Sequence, residues 1–217
     1  GDKILYSSSW KYERCSEYTW APGSLNLSKY LNQAQFLEKS PLFPYMGKSL
    51  GVFKCPADKD MLRITNKAGE LRQIFPRHRS YSVNIHVGGW AGWPVENDKE
   101  WKIYHKQADI EKPSNIFTFI EMPFEFINAG CFRVVMNEGP PTHKVYDMDV
   151  PGKYHIDGTA LAFADGHVET KRWLDERTKT AQGKYYIDGS NFKYGIRRAY
   201  GSVDVKWLKD RSTTKIE

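Results

Sequence analysis

The clearest pattern of hydrophobic and polar positions lies between His155 and Trp173. Two runs of strand-forming residues flank the dipeptide Asp165-Gly166 there. Asp-Gly tolerates positive φ at both corners of a type I′ turn, so the pattern predicts a β-hairpin over residues 159–172 with a two-residue loop. Such a loop would place Phe163 opposite Val168, with Leu161 paired to Thr170. The predicted core face of this hairpin therefore carries Leu161, Phe163 and Val168.

The other face of the first strand carries only small side chains, from Ala160, Ala162 and Ala164. An exposed strand would place polar residues at these positions, whereas a central strand is covered on both faces. The alanine stripe therefore predicts that another element, a helix, lies close against this strand.

Helical spacing of apolar residues recurs between Ser24 and Lys39, and it predicts a short helix that ends before Pro41. Another short helix is predicted over residues 101–112. Strands are predicted at Ile116–Glu121, at Cys131–Met136 and in the tail from Ile196 to Glu217, where Val203, Val205 and Trp207 alternate. The segment 59–78 is predicted to be a charged, flexible excursion, and 137–152 to be a surface loop.

These elements predict an α+β fold, in which a helix packs on an antiparallel sheet with the hairpin 159–172 at its centre and long loop insertions around it. A chain of 217 residues suits one domain. Its net charge is +6, but the basic residues are scattered, which indicates a solvated surface and no nucleic-acid partner. The cysteines Cys15, Cys55 and Cys131 form no CxxC pair, and the sequence does not decide whether two of them are joined.

Several segments resemble the prepilin-type, processing-associated "H-X9-DG" proteins, which are similar to the pseudopilin G component of type II secretion systems. His155 is followed after nine residues by Asp165-Gly166. Three further matches precede that motif in the family's order. They are a "PL.pYl" segment with a "vfkCPaD" segment that contains Cys55 and Pro56, an "rSYs.N" segment at 79–84, and a "kPs..i.f.E" segment at 112–121.

The resemblance implies that residues 1–217 form a single pilin-like domain, and that a native hydrophobic N-terminal helix precedes Gly1. It implies a structural subunit of a secretion pseudopilus or a related envelope assembly, and not an enzyme. The expected partners are other pseudopilin subunits and inner-membrane components of the secretion system. The expected location is the periplasm, with the missing helix anchored in the inner membrane. The family-motif residues are His155, Asp165, Gly166, Cys55 and Pro56.

Four polar residues of the central stretch, His155, Asp165, His167 and Glu169, raise the question of a metal or acid–base site. The predicted hairpin separates His155 from Asp165 by roughly 13 Å along the strand. His167 and Glu169 share a face, but a third ligand is not evident. We therefore predict that Asp165 shapes the turn, that His155 forms hydrogen bonds under the following loop, and that no transition metal is bound.

Calcium is the one cofactor that the resemblance suggests, because pseudopilin G proteins bind it near their C-terminus. Asp147, Asp149 and Asp157 supply hard oxygen ligands in or near one loop, although the resemblance assigns no specific ligand. The alternative to a pseudopilin is a secreted carbohydrate-binding or cell-wall-associated module. Trp90 and Trp93 suggest it, because tryptophans on a glycine-rich loop can stack on a sugar ring. Such tryptophans more often pin the loop to its own domain by burying a large apolar area.

Overall fold

The computed structural model spans residues 1–217 and describes 4–5, 8–9, 19–23, 25, 33–65, 71–91, 100–123, 126–136, 148–181 and 200–217. The fold is α+β, as the sequence predicts, with a five-stranded sheet as its central element. No helix among the described residues is both long enough and apolar enough to cross a membrane.

The described elements are short and are separated by turns. The strands are β1 (Ser8–Ser9), β2 (Met61–Thr65), β3 (Leu71–Pro76), β4 (Tyr81–Asn84), β5 (Trp90–Ala91), β6 (Phe117–Glu121), β7 (Cys131–Phe132), β8 (Gly158–Phe163) and β9 (Val168–Arg172). The α-helices are α1 (Gln33–Leu37), α2 (Glu176–Lys179) and α3 (Val203–Lys209). Four 3₁₀-helices are described, at Phe43–Met46, Leu50–Phe53, Gln107–Asp109 and Pro113–Asn115.

The central sheet has the strand order β7-β4-β6-β8-β9. All neighbouring strands in it are antiparallel except β4 and β7, which are parallel. The strand predicted at 116–121 is therefore confirmed as β6, and it lies in the middle of the sheet. Two smaller sheets pair β1 with β5 and β2 with β3.

A hydrophobic cluster covers each face of the central sheet. Consecutive residues of β6 divide between the clusters, with Ile120 in one and Phe119 packed against the other, because successive strand side chains point to opposite faces. The first cluster includes Leu161 and Phe163 of β8 with Val205 and Leu208 of α3. The second cluster joins Val83 of β4 to Trp20, Leu37, Phe53 and Ile116.

The predicted hairpin is present, but its turn is of another type. Gly166 has a φ of 94°, whereas Asp165 does not have positive φ. Gly166 N–H donates to Phe163 O at 3.0 Å, and Phe163 N–H donates to His167 O at 2.9 Å. These bonds close a three-residue loop, in which a type I turn is followed by a glycine at positive φ. Only the second residue of the Asp-Gly pair therefore needs left-handed backbone.

The longer loop shifts the strand pairing by one residue, and this corrects the predicted faces. Val168 pairs with Ala162, and Leu161 pairs with Glu169. Val168 consequently shares the alanine face and is 67% exposed, so its assignment to the core was wrong. Leu161 and Phe163 are buried as predicted.

The alanine stripe is only half-buried at each of its three positions. Helix α3 packs on the opposite face, where Val205 and Leu208 contact the cluster that contains Leu161 and Phe163. Ala164 is packed against the second cluster, to which Leu37 of α1 belongs. Of the predicted helix 24–39, residues 25 and 33–39 are described, and only Gln33–Leu37 is helical, as α1.

The tail was predicted to add a strand but forms α3 instead. Ser202 caps this helix, since its side-chain oxygen accepts a hydrogen bond from Val205 N–H. Asp204, Val205 and Leu208 are its buried residues, a spacing that fits a helical period rather than strand alternation. The cap and the position of Leu208 outweigh the alternation of Val203, Val205 and Trp207.

Four further predictions need correction. The helix expected at 101–112 is reduced to the 3₁₀-helix Gln107–Asp109, and Trp101 and Tyr104 instead form isolated β-bridges. The excursion 59–78 contains the β2–β3 hairpin, with 66–70 outside the described residues. The strand at 131–136 is only the two-residue β7, followed by a bridge from Val134 to Met148. The end of the predicted surface loop is buried, at Met148 and Val150.

The hairpin turn gives a stability test. A Cβ added at Gly166 would meet nothing within 4 Å, so substitution there strains only the backbone. We expect Gly166→Ala to lower the free energy of unfolding by about 1 kcal/mol. The matched control is Gly51→Ala, where no positive φ is required and the new Cβ would lie 3.5 Å from Ser49 Oγ. Equal urea midpoints for the two variants would contradict the assignment of the turn.

Candidate functional site

Three polar side chains from distant parts of the chain meet beside the end of β6. Cys55 Sγ lies 3.6 Å from His155 Nε2, and the same nitrogen lies 3.0 Å from Glu121 Oε1. One ligand atom from each residue lies within 4.8 Å of the other two. We call Cys55, Glu121 and His155 the Cys–Glu–His cluster.

Cys55 is held by the segment that follows the 3₁₀-helix Leu50–Phe53. Its backbone N–H donates to Ser80 Oγ at 2.7 Å, and Ser80 N–H donates to Phe53 O at 3.0 Å. Asp58 N–H closes a turn by donating to Cys55 O at 3.0 Å. These bonds fix the backbone of Cys55 against the start of β4, and the thiol is buried and free of any disulfide.

Glu121 is the last residue of β6, and it is completely buried. Its Oε2 accepts hydrogen bonds from Thr159 Oγ1 at 3.0 Å and from Ala160 N–H at 2.9 Å. Both donors lie at the start of β8, so the carboxylate joins two neighbouring strands. Its other oxygen, Oε1, faces His155.

His155 lies in the loop that leads into β8. The backbone N–H of His155 donates to Gly158 O at 3.2 Å. The two residues between them, Ile156 and Asp157, have φ values of 50° and 58°. Two consecutive positive φ angles are the hallmark of a type I′ turn, and Ile156 is an unfavourable residue for it because its Cβ is branched. The His155 side chain is 36% exposed, so the cluster is open to solvent on this side.

Gly152 brings the same loop close to Glu121. Gly152 N–H donates to Glu121 O at 2.6 Å, and Gly152 O accepts a bond from Trp173 Nε1 at 2.9 Å. A Cβ at position 152 would lie only 2.8 Å from Glu121 Cβ. This close approach is possible only for glycine, and it holds the His155 loop against the end of β6.

A buried ion pair lies beside the cluster. Arg77 Nε is 3.3 Å from Asp58 Oδ2, and Arg77 Nη2 donates to Met122 O at 2.8 Å. Burial raises the pKa of the Asp58 carboxyl, and the charge of Arg77 acts in the opposite direction. The pair ties the turn after Cys55 to the residue after Glu121.

The electrostatics of the cluster oppose nucleophilic catalysis. Burial raises the pKa of the Cys55 thiol, and Glu121 raises it further, so the reactive thiolate is disfavoured. The pKa of Tyr81, which pairs with Glu121 across β4 and β6, is raised by burial and by the same two residues. In a catalytic triad the acid binds one histidine nitrogen and the nucleophile the other, but here both approach Nε2.

The other residues considered from the sequence lie elsewhere. Asp165 Oδ1 is 2.6 Å from His167 Nδ1 at the exposed hairpin turn, at the far end of β8 from His155. This hydrogen bond lowers the pKa of Asp165, and Glu169 is also exposed. His155 does form hydrogen bonds, as predicted, although its partner Glu121 comes from another strand. Pro56 is exposed beside Cys55.

The calcium candidates are described only in part, because Asp147 lies outside the described residues. Asp149 is partly buried, and its Oδ2 accepts a bond from the backbone N–H of Arg133 at 2.7 Å. Burial raises the pKa of Asp149 to about 7. Asp157 occupies the turn after His155, and its backbone oxygen accepts from Trp173 N–H. Trp93 and Cys15 also lie outside the described residues, and Trp90 is described only through its backbone in β5.

Sequence reasoning missed the Cys–Glu–His cluster. Glu121 and Cys55 lie 34 and 100 residues before His155, and no local spacing connects them. A signal was nevertheless present, because each of the three residues belongs to a different segment of the family resemblance. Comparisons of the chain with protein-family models, curated proteins and solved structures gave no match.

Gly152→Ala tests the packing of the His155 loop. The new Cβ would overlap Glu121 Cβ and lie 3.2 Å from the Glu121 carbonyl group, so the loop must move. We expect a loss of ~1–3 kcal/mol in the free energy of unfolding, measured by urea denaturation. A variant as stable as Gly51→Ala would show that this contact is not tight.

Asp149→Asn tests the raised pKa of the Asp149 carboxyl group. Its folded-state pKa of about 7 is above the ordinary 3.8, so the folded state retains a proton that the unfolded chain releases. Its contribution to stability is complete below the ordinary value and is lost as the pH rises through 7. We expect the variant to gain ~2 kcal/mol relative to the wild type between pH 5 and pH 8.

Thermal and urea unfolding at both pH values measure this difference. The exposed Asp109→Asn variant is the control and should show no such trend. A pH-independent difference between Asp149→Asn and the wild type would contradict the raised pKa.

Proposed function

We propose that the chain is the globular domain of a pilin-like structural subunit, in a type II secretion pseudopilus or a related envelope assembly. In this proposal the protein is not an enzyme. Its partners are other pseudopilin subunits and inner-membrane components of the secretion system. Its domain is periplasmic and is anchored by a hydrophobic N-terminal helix.

One observation carries this proposal: the segments that resemble the H-X9-DG family bond to one another. Cys55, Ser80, Glu121 and His155 each come from a different one of these segments, and they lie in one contiguous network. The resemblance therefore involves residues that build the centre of the domain. Proteins that share a fold for a structural purpose are expected to share the residues that join their chain segments in this way.

The roles of the individual side chains also favour a structural subunit over a catalyst. Glu121 uses one oxygen to join β6 to β8, and Arg77 is engaged by Asp58 and by a backbone carbonyl group. The thiol of Cys55 is buried, with a raised pKa, and lacks the triad geometry that would activate it. The residues that resemble the family thus connect chain segments.

The experiment is to produce the protein from its complete gene with a C-terminal tag in its native host. We expect cleavage between a glycine and a phenylalanine ahead of a stretch of ~20 apolar residues, and retention of the mature protein in the inner membrane. Mass spectrometry of the mature N-terminus and membrane fractionation measure both. A host without its prepilin peptidase is the control, and there the leader should remain uncleaved.

Cleavage at an ordinary signal-peptidase site and release from the cell would contradict the proposal. That result would favour the secreted carbohydrate-binding module. The released protein would then be tested for binding to insoluble polysaccharide, with Trp90→Ala and Trp93→Ala variants alongside the wild type.

A further inference from the structure

We propose that Cys55, Glu121 and His155 bind a divalent cation of borderline softness, of which Zn²⁺ is the representative. The inference is independent of the proposed function, because it rests only on the ligand atoms and their surroundings. It also replaces the prediction that the chain binds no transition metal, which considered His155 only together with Asp165, His167 and Glu169.

The donor set selects the class of metal. A thiolate, an imidazole nitrogen and a carboxylate oxygen are typical ligands of Zn²⁺, whereas Ca²⁺ and Mg²⁺ prefer oxygen ligands alone. Three protein ligands also fit the open type of zinc site, in which a water molecule or an exogenous ligand completes a tetrahedron. The two negative ligands would balance the charge of the cation.

The distances between the donor atoms suit one metal ion. Tetrahedral coordination with ordinary bond lengths separates a sulfur from a nitrogen ligand by ~3.6 Å, and a nitrogen from an oxygen ligand by ~3.4 Å. The separations here are 3.6 Å for Cys55 Sγ to His155 Nε2 and 3.0 Å for His155 Nε2 to Glu121 Oε1. The third pair, Cys55 Sγ and Glu121 Oε1, lies within 4.8 Å, and a cation would require His155 Nε2 and Glu121 Oε1 to move apart by a few tenths of an ångström.

The convergence on a single histidine nitrogen supports a metal ligand role. If Nε2 carries a proton, Cys55 Sγ and Glu121 Oε1 compete to accept it. A cation between the three atoms can instead bind all of them. On binding, the Cys55 thiol releases its proton to solvent, and the imidazole contributes the Nε2 lone pair.

The surrounding hydrogen bonds hold the ligands in place before a metal arrives. Thr159 Oγ1 and Ala160 N–H occupy Oε2 of Glu121, which leaves Oε1 directed at the other two ligands. Ser80 fixes the Cys55 backbone, and Gly152 presses the His155 loop against Glu121. Such outer partners commonly change metal affinity by ~10–100-fold when they are removed.

The test uses the purified 217-residue chain after treatment with a chelator. Co²⁺ is the spectroscopic probe, because a thiolate ligand gives it a charge-transfer absorption band. Zn²⁺ is then titrated in competition with the bound Co²⁺. We expect one Co²⁺ per chain with a thiolate band, displacement of that band by Zn²⁺, and a higher melting temperature with Zn²⁺ than with chelator.

The variants identify the ligands. Cys55→Ser should abolish the thiolate band, and His155→Gln should weaken Zn²⁺ binding by at least ~100-fold. The matched controls are Cys131→Ser, which removes the other described free thiol, and His167→Gln, which removes an exposed histidine. Both controls should bind metal as the wild type does. Cys15→Ser should also leave the band unchanged.

Thr159→Val separates a local effect from a loss of folding. It removes only the hydroxyl group that holds Glu121 Oε2, and it should weaken Zn²⁺ binding by ~10–100-fold in a chain that still unfolds cooperatively. If Cys55→Ser does not fold, His155→Gln tests the loss of a ligand instead. The His155 side chain is partly exposed, so this substitution should leave folding intact.

Three results would overturn the proposal. They are an absence of Co²⁺ and Zn²⁺ binding at micromolar concentrations, a thiolate band that survives Cys55→Ser, and equal losses in the ligand and control variants. None of these outcomes bears on leader cleavage or membrane retention. The pseudopilin proposal is therefore tested independently of the metal site.

Discussion

The buried carboxylate of Glu121 is the group on which the centre of this structure depends. An ionised carboxylate is costly to bury unless its oxygens accept hydrogen bonds. Here one oxygen accepts two bonds from the start of β8, and the other faces His155. Because Glu121 ends β6, these contacts also fix how β8 enters the sheet. The backbone of the same residue is also where Gly152 brings the His155 loop against β6.

Much of the fold was predictable from short-range patterns. The β-branched and aromatic run at 116–121 gave the central strand, and Asp165-Gly166 gave the hairpin, because both signals are local. The predicted strand register was wrong because the Asp-Gly dipeptide does not distinguish a two-residue loop from a three-residue loop that contains a glycine at positive φ. One residue of difference was enough to place Val168 on the wrong face. The strand predicted in the tail was wrong because the alternation of Val203, Val205 and Trp207 indicated a strand, whereas Ser202 caps a helix.

The candidate site was not predictable by the same means. Its three residues are far apart in sequence, and chain spacing says nothing about which of them meet. Glu121 could not be singled out because it reads as the polar end of a strand. His155 was instead considered together with Asp165 and His167, which are near in sequence but lie at the other end of β8. The three residues do lie in different segments of the family resemblance, but the order of those segments along the chain does not indicate that the residues meet.

Strand β9 has a consequence for the pairing of further chain segments with the central sheet. In the described part of the chain it forms one edge of the central sheet, and its residues include Glu169, Lys171 and Arg172. An edge strand offers unpaired backbone groups to any extended segment that approaches, and charged side chains discourage such pairing. Uncontrolled growth of the sheet from one molecule into the next is thereby disfavoured.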